Sequence, residues 1–92
     1  MDDPPVGAVE RLVELARERG FTFTPAGEHG SQWAQRVTPG WVDVVFLDVS
    51  GPCNAVRSRR GHAVPGEPLF ADRVSGTALT VLHTVVYGWE PI

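Results

Sequence analysis

The segment from Ser31 to Ser50, SQWAQRVTPGWVDVVFLDVS, constrains the fold more than any other part of the chain. Two runs rich in β-branched and aromatic residues flank the turn residues Thr38-Pro39-Gly40, which predicts a hairpin of two strands, 32–37 and 41–49. Seven of the nine residues of the second strand are apolar. A strand with one face in water carries fewer apolar residues than that, so we expect this strand to lie at the centre of the sheet with both faces covered.

Alternate residues of this strand point to opposite faces of the sheet. Val42, Val44 and Phe46 share one face, and the other face carries Trp41, Asp43, Val45, Leu47 and Val49. The second face is expected to be covered by a loop, by the C-terminal segment or by another chain.

A helix is predicted before the sheet. Asp3-Pro4-Pro5 is typical of a helix start, and apolar residues then recur at three- and four-residue steps from Val6 to Ala16. Gly20 stands where a left-handed C-terminal cap belongs, and Phe21 after it can fold back on the last turn.

The C-terminal segment 75–88 is ambiguous. Its apolar spacing fits a helix with Ser75 as N-cap and Gly88 as stop, whereas its β-branched residues favour a strand. We favour the helix, because residues 77–87 are apolar in both phases of a strand.

Two further strands are predicted at 21–24 and 53–59. In the second of these, Val56 is expected to point inward and Arg57 and Arg59 outward. Gly and Pro residues mark 61–68 as a loop. The chain is therefore expected to form a single α+β domain over residues 1–92, with an N-terminal helix, a three- to four-stranded antiparallel sheet and a C-terminal helix.

Composition narrows the class of protein. A formal net charge of -3 gives no electrostatic reason to expect nucleic acid or acidic lipid as a bulk partner. All eight basic residues are Arg, which is typical of a genome rich in G and C and favours an accessory protein of an actinobacterium or its phage. A single cysteine, no signal peptide and no apolar run of ~20 residues lead us to expect a cytoplasmic protein without a membrane segment.

Surplus apolar area suggests a protein partner. A chain of 92 residues cannot easily cover both faces of so apolar a strand. We therefore expect a non-enzymatic protein-interaction module that forms a homo-oligomer, with Trp33, Trp41, Val45 and Leu47 as its contact residues. Core filling is the simpler role for the tryptophans.

An arginine cluster supports an alternative, nucleic-acid binding. Arg57 and Arg59 are about 7 Å apart on one face of a strand, close to the spacing of adjacent phosphates. Arg36 and Arg60 would complete an anion-binding surface. The simpler interpretation is a solvated edge strand whose charges discourage aggregation.

No recognisable catalytic motif is present, and neither a metal site nor a cofactor is expected. Phosphate-loop, nucleophile-elbow and zinc-protease patterns are missing, and His29, His62 and His83 lack companions at metal-ligand spacing. The order of elements resembles that of double-stranded RNA-binding domains in topology alone. Residues 72–77, DRVSGT, hold one Arg beside one Asp where those domains carry a lysine-rich helix start, so the family is not assigned.

Overall fold

The computed structural model describes residues 7–24, 30–48, 51–60 and 70–91. Two helices and five strands follow one another as α1 (Ala8–Glu18), β1 (Thr22–Phe23), β2 (Gln32–Val37), β3 (Trp41–Leu47), β4 (Cys53–Arg59), β5 (Phe70–Gly76) and α2 (Ala78–Gly88). Each strand pairs antiparallel with the next, giving the sheet order β1-β2-β3-β4-β5. The predicted α+β architecture is confirmed, with five strands in place of three to four.

Strand β5 is the element that the sequence pattern did not reveal. It pairs with β4 as the last strand of the sheet, with Val56 opposite Arg73. Its adjacent charged residues Asp72 and Arg73 interrupt the alternation of apolar and polar residues that predicts a strand. Such charges are tolerated here because both side chains of this edge strand are exposed to solvent. Residues 61–68, predicted as a loop, lie outside the described residues.

Helix α2 resolves the ambiguity of the C-terminal segment in favour of the helix. Its four buried residues are Val81, Leu82, Val85 and Val86, whose spacing places them on one face of a helix. Burial of that face outweighs the modest helix penalty of β-branched side chains. The N-cap is Thr77 rather than the predicted Ser75, and its Oγ1 accepts a hydrogen bond of 3.2 Å from the backbone N–H of Thr80.

Helix α1 ends as its sequence predicts. Gly20 has a φ of 101°, its N–H donates to the carbonyl of Arg17, and the N–H of Phe21 donates to the carbonyl of Ala16, both at 3.0 Å. These two bonds form a Schellman motif, which satisfies carbonyls that a helix end leaves without a partner. Phe21 is buried beside the last turn. The predicted start at 3–5 lies outside the described residues.

Two glycine substitutions are expected to have opposite effects on stability. Gly20→Ala should lower the free energy of unfolding by about 1–2 kcal/mol, because a Cβ is strained at this positive φ. Gly88→Ala, in the last turn of α2, should raise it by up to about 1 kcal/mol, since an added Cβ would meet only Thr84 Cγ2 at 4.0 Å. Urea denaturation followed by circular dichroism measures both changes. Equal changes in the free energy of unfolding would contradict the assignment of Gly20 as the left-handed cap of α1.

Both helices lie on the same face of the sheet. Helix α2 packs against α1, β4 and β5. The core is a single cluster that joins the buried faces of the helices to one face of the strands, and it comprises Leu12, Ala16, Phe21, Ala34, Val45, Leu47, Cys53, Ala55, Val81, Leu82, Val85, Val86 and Trp89. We call this side of the sheet the helix face and the opposite side the open face.

Candidate interaction face

The open face consists of the strand side chains that alternate with the core residues. The register aligns Trp33 with Phe46, Val37 with Val42, and Gln35 with Val44 and Val56, and aligned residues of antiparallel strands share a face. Its members with described side chains are Thr22, Trp33, Gln35, Val37, Val42, Val44, Phe46, Asn54, Val56, Ser58, Arg73 and Ser75.

Half of these side chains are apolar, and they form a continuous patch on the three middle strands. Trp33 and Val37 are 52% and 54% exposed. Val42, Val44, Phe46 and Val56 are half-buried by their neighbours. The rings of Trp33 and Phe46 contact each other across β2 and β3, with centroids 4.6 Å apart. The prediction that β3 lies at the centre of the sheet is confirmed, but the two described helices cover only one of its faces.

The structure places the four predicted contact residues in three different environments. Val45 and Leu47 are core residues, 1% and 8% exposed, so the prediction that they offer a contact surface is wrong. Trp41 is half-buried, and the guanidinium carbons of Arg57 and Arg59 lie 4.9 and 5.8 Å from its ring centroid. Trp33 alone belongs to the open face.

Val45 and Leu47 are buried and Trp33 is exposed because the helices cover the face of the sheet on which Val45 and Leu47 lie. The partners of Val45 in the register are Ala34 and Ala55, whose small side chains let α1 and α2 approach the sheet. On the other face, Val44 lies between Gln35 and Val56. The side chains that sequence reasoning missed, Val37, Val42, Val44, Phe46 and Val56, alternate with the core positions, and the small residues opposite Val45 were the available signal.

Two of the four predicted anion-binding arginines are buried and paired. Arg36 and Arg57 are 2% and 7% exposed and both bind the fully buried carboxylate of Asp43. Arg36 Nη2 donates to Asp43 Oδ2 at 2.8 Å, and Arg57 Nε donates to Oδ1 at 2.7 Å. The predicted outward orientation of Arg57 is wrong, because Arg57 lies on the helix face and Val56 on the open face.

The remaining donors of these arginines bind the carbonyls at the ends of both helices. Arg36 Nη1 donates to the carbonyl of Arg19 at 3.2 Å, and its Nη2 donates to the carbonyl of Trp89 at 3.1 Å. Arg57 Nη2 donates to the carbonyl of Glu90. Helix C-termini carry partial negative charge, which offsets the excess positive charge of the cluster. The cluster therefore joins the sheet to the ends of α1 and α2, and neither guanidinium is available to a phosphate.

Arg59 and Arg60 are the two predicted arginines that remain at the surface. Both are exposed. Arg60 Nη1 donates to the carbonyl of Thr38 at 3.2 Å, and Arg59 lies over the ring of Trp41. The structure thus divides the predicted four-arginine surface into a buried pair and an exposed pair beside the turn between β2 and β3.

Cys53 and His83 are the cysteine and the histidine of the described residues, and side chains of these types can act as a nucleophile or a metal ligand. Cys53 is 1% exposed, and its Sγ accepts a 3.3 Å hydrogen bond from the backbone N–H of Asp48. His83 is exposed and contacts the ring of Tyr87, and His29 and His62 lie outside the described residues. Within 7–24, 30–48, 51–60 and 70–91, no three His, Cys, Asp or Glu side chains could hold a metal ion. Neither described helix has the length and apolar character to cross a bilayer.

Comparisons with protein-family models, with curated proteins and with solved structures gave no match to this chain.

Proposed function

We propose that this chain is a non-enzymatic protein-interaction module that self-associates through the open face of its sheet. The observation that carries the proposal is the continuous apolar patch of Trp33, Val37, Val42, Val44, Phe46 and Val56 on the side opposite both described helices. Aromatic residues at the centre of a patch are the usual anchors of protein interfaces. Burying the patch against another chain would remove this apolar area from water.

The size of the face sets the expected affinity. Four strands of six or seven residues and the two-residue β1, at about 3.3 Å per residue and about 4.8 Å between strands, give a projected area of roughly 500 Å² per copy. Two copies would bury about 1,000 Å², which is near the lower limit for a specific interface and typical of weak association. We therefore expect a dissociation constant in the micromolar range or weaker.

Charge favours a second copy as the occupant. Among the described strand side chains of the open face, Arg73 is the one charged group. Exposed acidic residues lie on α1, on the other side of the sheet: Glu10, Glu14 and Glu18. Two copies packed through their open faces keep these like charges apart. A nucleic acid would need several cations on the contact surface, and Arg73 alone does not supply them.

Sedimentation equilibrium over a range from about 1 µM to about 1 mM tests the proposal. We expect the average mass to rise from monomer to dimer with concentration, and to rise no less at high salt, because apolar contacts are not screened. A monomeric mass at the highest concentration would overturn it. Titration with a single-stranded oligonucleotide is the companion measurement: salt-sensitive binding, lost on replacing Arg59 and Arg60 by Ala, would favour the nucleic-acid alternative instead.

A further inference from the structure

We propose that the dimer is a two-fold symmetric pair in which Trp33 of each copy occupies a recess beside Trp33 of the other. This inference rests on the proposed function and specifies how the two open faces meet. Its basis is that the anchor and the recess adjoin each other on the same face.

Trp33 has the properties of an interface anchor. It is 52% exposed, and its described ring contact is with Phe46 alone. Its backbone is fixed, because its carbonyl accepts from the N–H of Thr24 at 2.8 Å and its N–H donates to Thr24 Oγ1 at 3.1 Å. A tryptophan held in this way buries a large area at low entropic cost.

The recess lies where the sheet narrows beside Trp33. Strand β1 has only two residues, so the sheet ends early at this edge. The resulting recess has a volume of about 350 Å³ and is lined by Thr22, Thr24, Trp33, Ala34, Gln35 and Val44. Since a cavity of about 150 Å³ accommodates benzene, this recess can accommodate an indole. The Thr22 hydroxyl and the Gln35 amide are polar groups to which an indole N–H can donate.

Symmetry follows from this arrangement. In an isologous dimer, a residue that enters the partner's recess receives the partner's equivalent residue in its own. A two-fold axis that brings two open faces together lies in the plane between them, and it runs across the strands if the whole patch is to be covered. When the anchor and the recess adjoin, this axis passes between Trp33 and Gln35. Gln35 and its neighbour Val44 would then lie within about 7 Å of their own copies along the strands. Ser58, which aligns with Val42, lies about three residues along the strands from the axis, so its two copies would be roughly 20 Å apart.

Cross-linking through single cysteines tests this geometry. Gln35→Cys and Ser58→Cys are each made with Cys53→Ala and treated with a short bismaleimide near the dissociation constant. A linker is needed because facing sheets lie about 10 Å apart, beyond the reach of a disulfide. We expect Gln35→Cys to give at least roughly tenfold more covalent dimer than Ser58→Cys. Val44→Cys is a second probe of the axis should Gln35→Cys fail to fold.

The outcomes separate this inference from the proposed function. If sedimentation shows a dimer but Ser58→Cys cross-links as much as Gln35→Cys and Val44→Cys or more, the two-fold arrangement would be overturned and self-association would stand. Monomer in sedimentation with no cross-linking from any variant would overturn both. Preferential cross-linking at Gln35 or Val44, lost when Trp33 is also replaced by Ala, would support the anchored dimer.

Discussion

Replacing Asp43 by Asn is expected to remove much of the stability of this domain. The substitution keeps the volume of the side chain but leaves Arg36 and Arg57 buried without a counter-charge. Breaking a buried ion pair in this way costs about 3–5 kcal/mol. A domain of this length has a total stability of roughly 5–14 kcal/mol. Urea denaturation followed by tryptophan fluorescence should show a large drop in the midpoint.

Asp72→Asn is the matched control. Asp72 aligns with Arg57 in the register, is exposed, and accepts a 3.0 Å hydrogen bond from Trp89 Nε1, which an amide oxygen can also accept. We expect Asp72→Asn to lower the free energy of unfolding by no more than about 1 kcal/mol, as for exposed charges in general. If both variants lost the same free energy of unfolding, the buried ion pairs of Asp43 would contribute no more to stability than an exposed carboxylate does.

The second large effect is expected on association rather than on folding. Val44→Glu places a carboxylate at the centre of the open face, where Val44 is half-buried between Gln35 and Val56. Two such charges would meet in the dimer, and like charges in an interface cost several kcal/mol. We therefore expect the dissociation constant to rise by at least about 100-fold. Sedimentation equilibrium measures the change.

Two controls distinguish a lost contact from a damaged fold. Thr80→Glu adds the same charge on α2, three residues after the N-cap Thr77, where a glutamate suits the cap. This variant should associate as the unmodified protein does. An equimolar mixture of Val44→Glu and Val44→Arg should regain association through opposite charges near the axis. Undiminished association of Val44→Glu alone would contradict a role for this face.

The sequence pattern predicted those elements that are specified by neighbouring residues, such as turn residues, cap residues and regularly spaced apolar residues. The β2–β3 hairpin follows from alternation around a Pro-Gly turn, the end of α1 follows from Gly20, and α2 follows from its apolar spacing. Strand β5 was not predictable in this way, because its pairing with β4 is tertiary and its charged residues are typical of a loop.

Alternation alone does not identify which side chains form the open face. A period of two divides β3 into Val42, Val44 and Phe46 on one side and Asp43, Val45 and Leu47 on the other, but it does not say which side the helices cover. The buried arginines were equally hidden, since Arg36 and Arg57 become core residues only through Asp43 on the strand between them. Trp33 was predicted as a contact residue because tryptophans often anchor interfaces, and the register shows that it lies on the open face.

The Arg36–Asp43–Arg57 cluster also restricts how the strands can align during folding. A slip of one residue between β2 and β3 would send one of the partners to the solvent side, and a slip of two would set Arg36 beside Val45 or Trp41. Either error would leave a cation or a carboxylate desolvated without its counter-ion, at a cost of several kcal/mol. An apolar sheet of this kind could otherwise adopt shifted pairings of similar energy. We expect the charges to make a single alignment of the three central strands far more stable than its competitors.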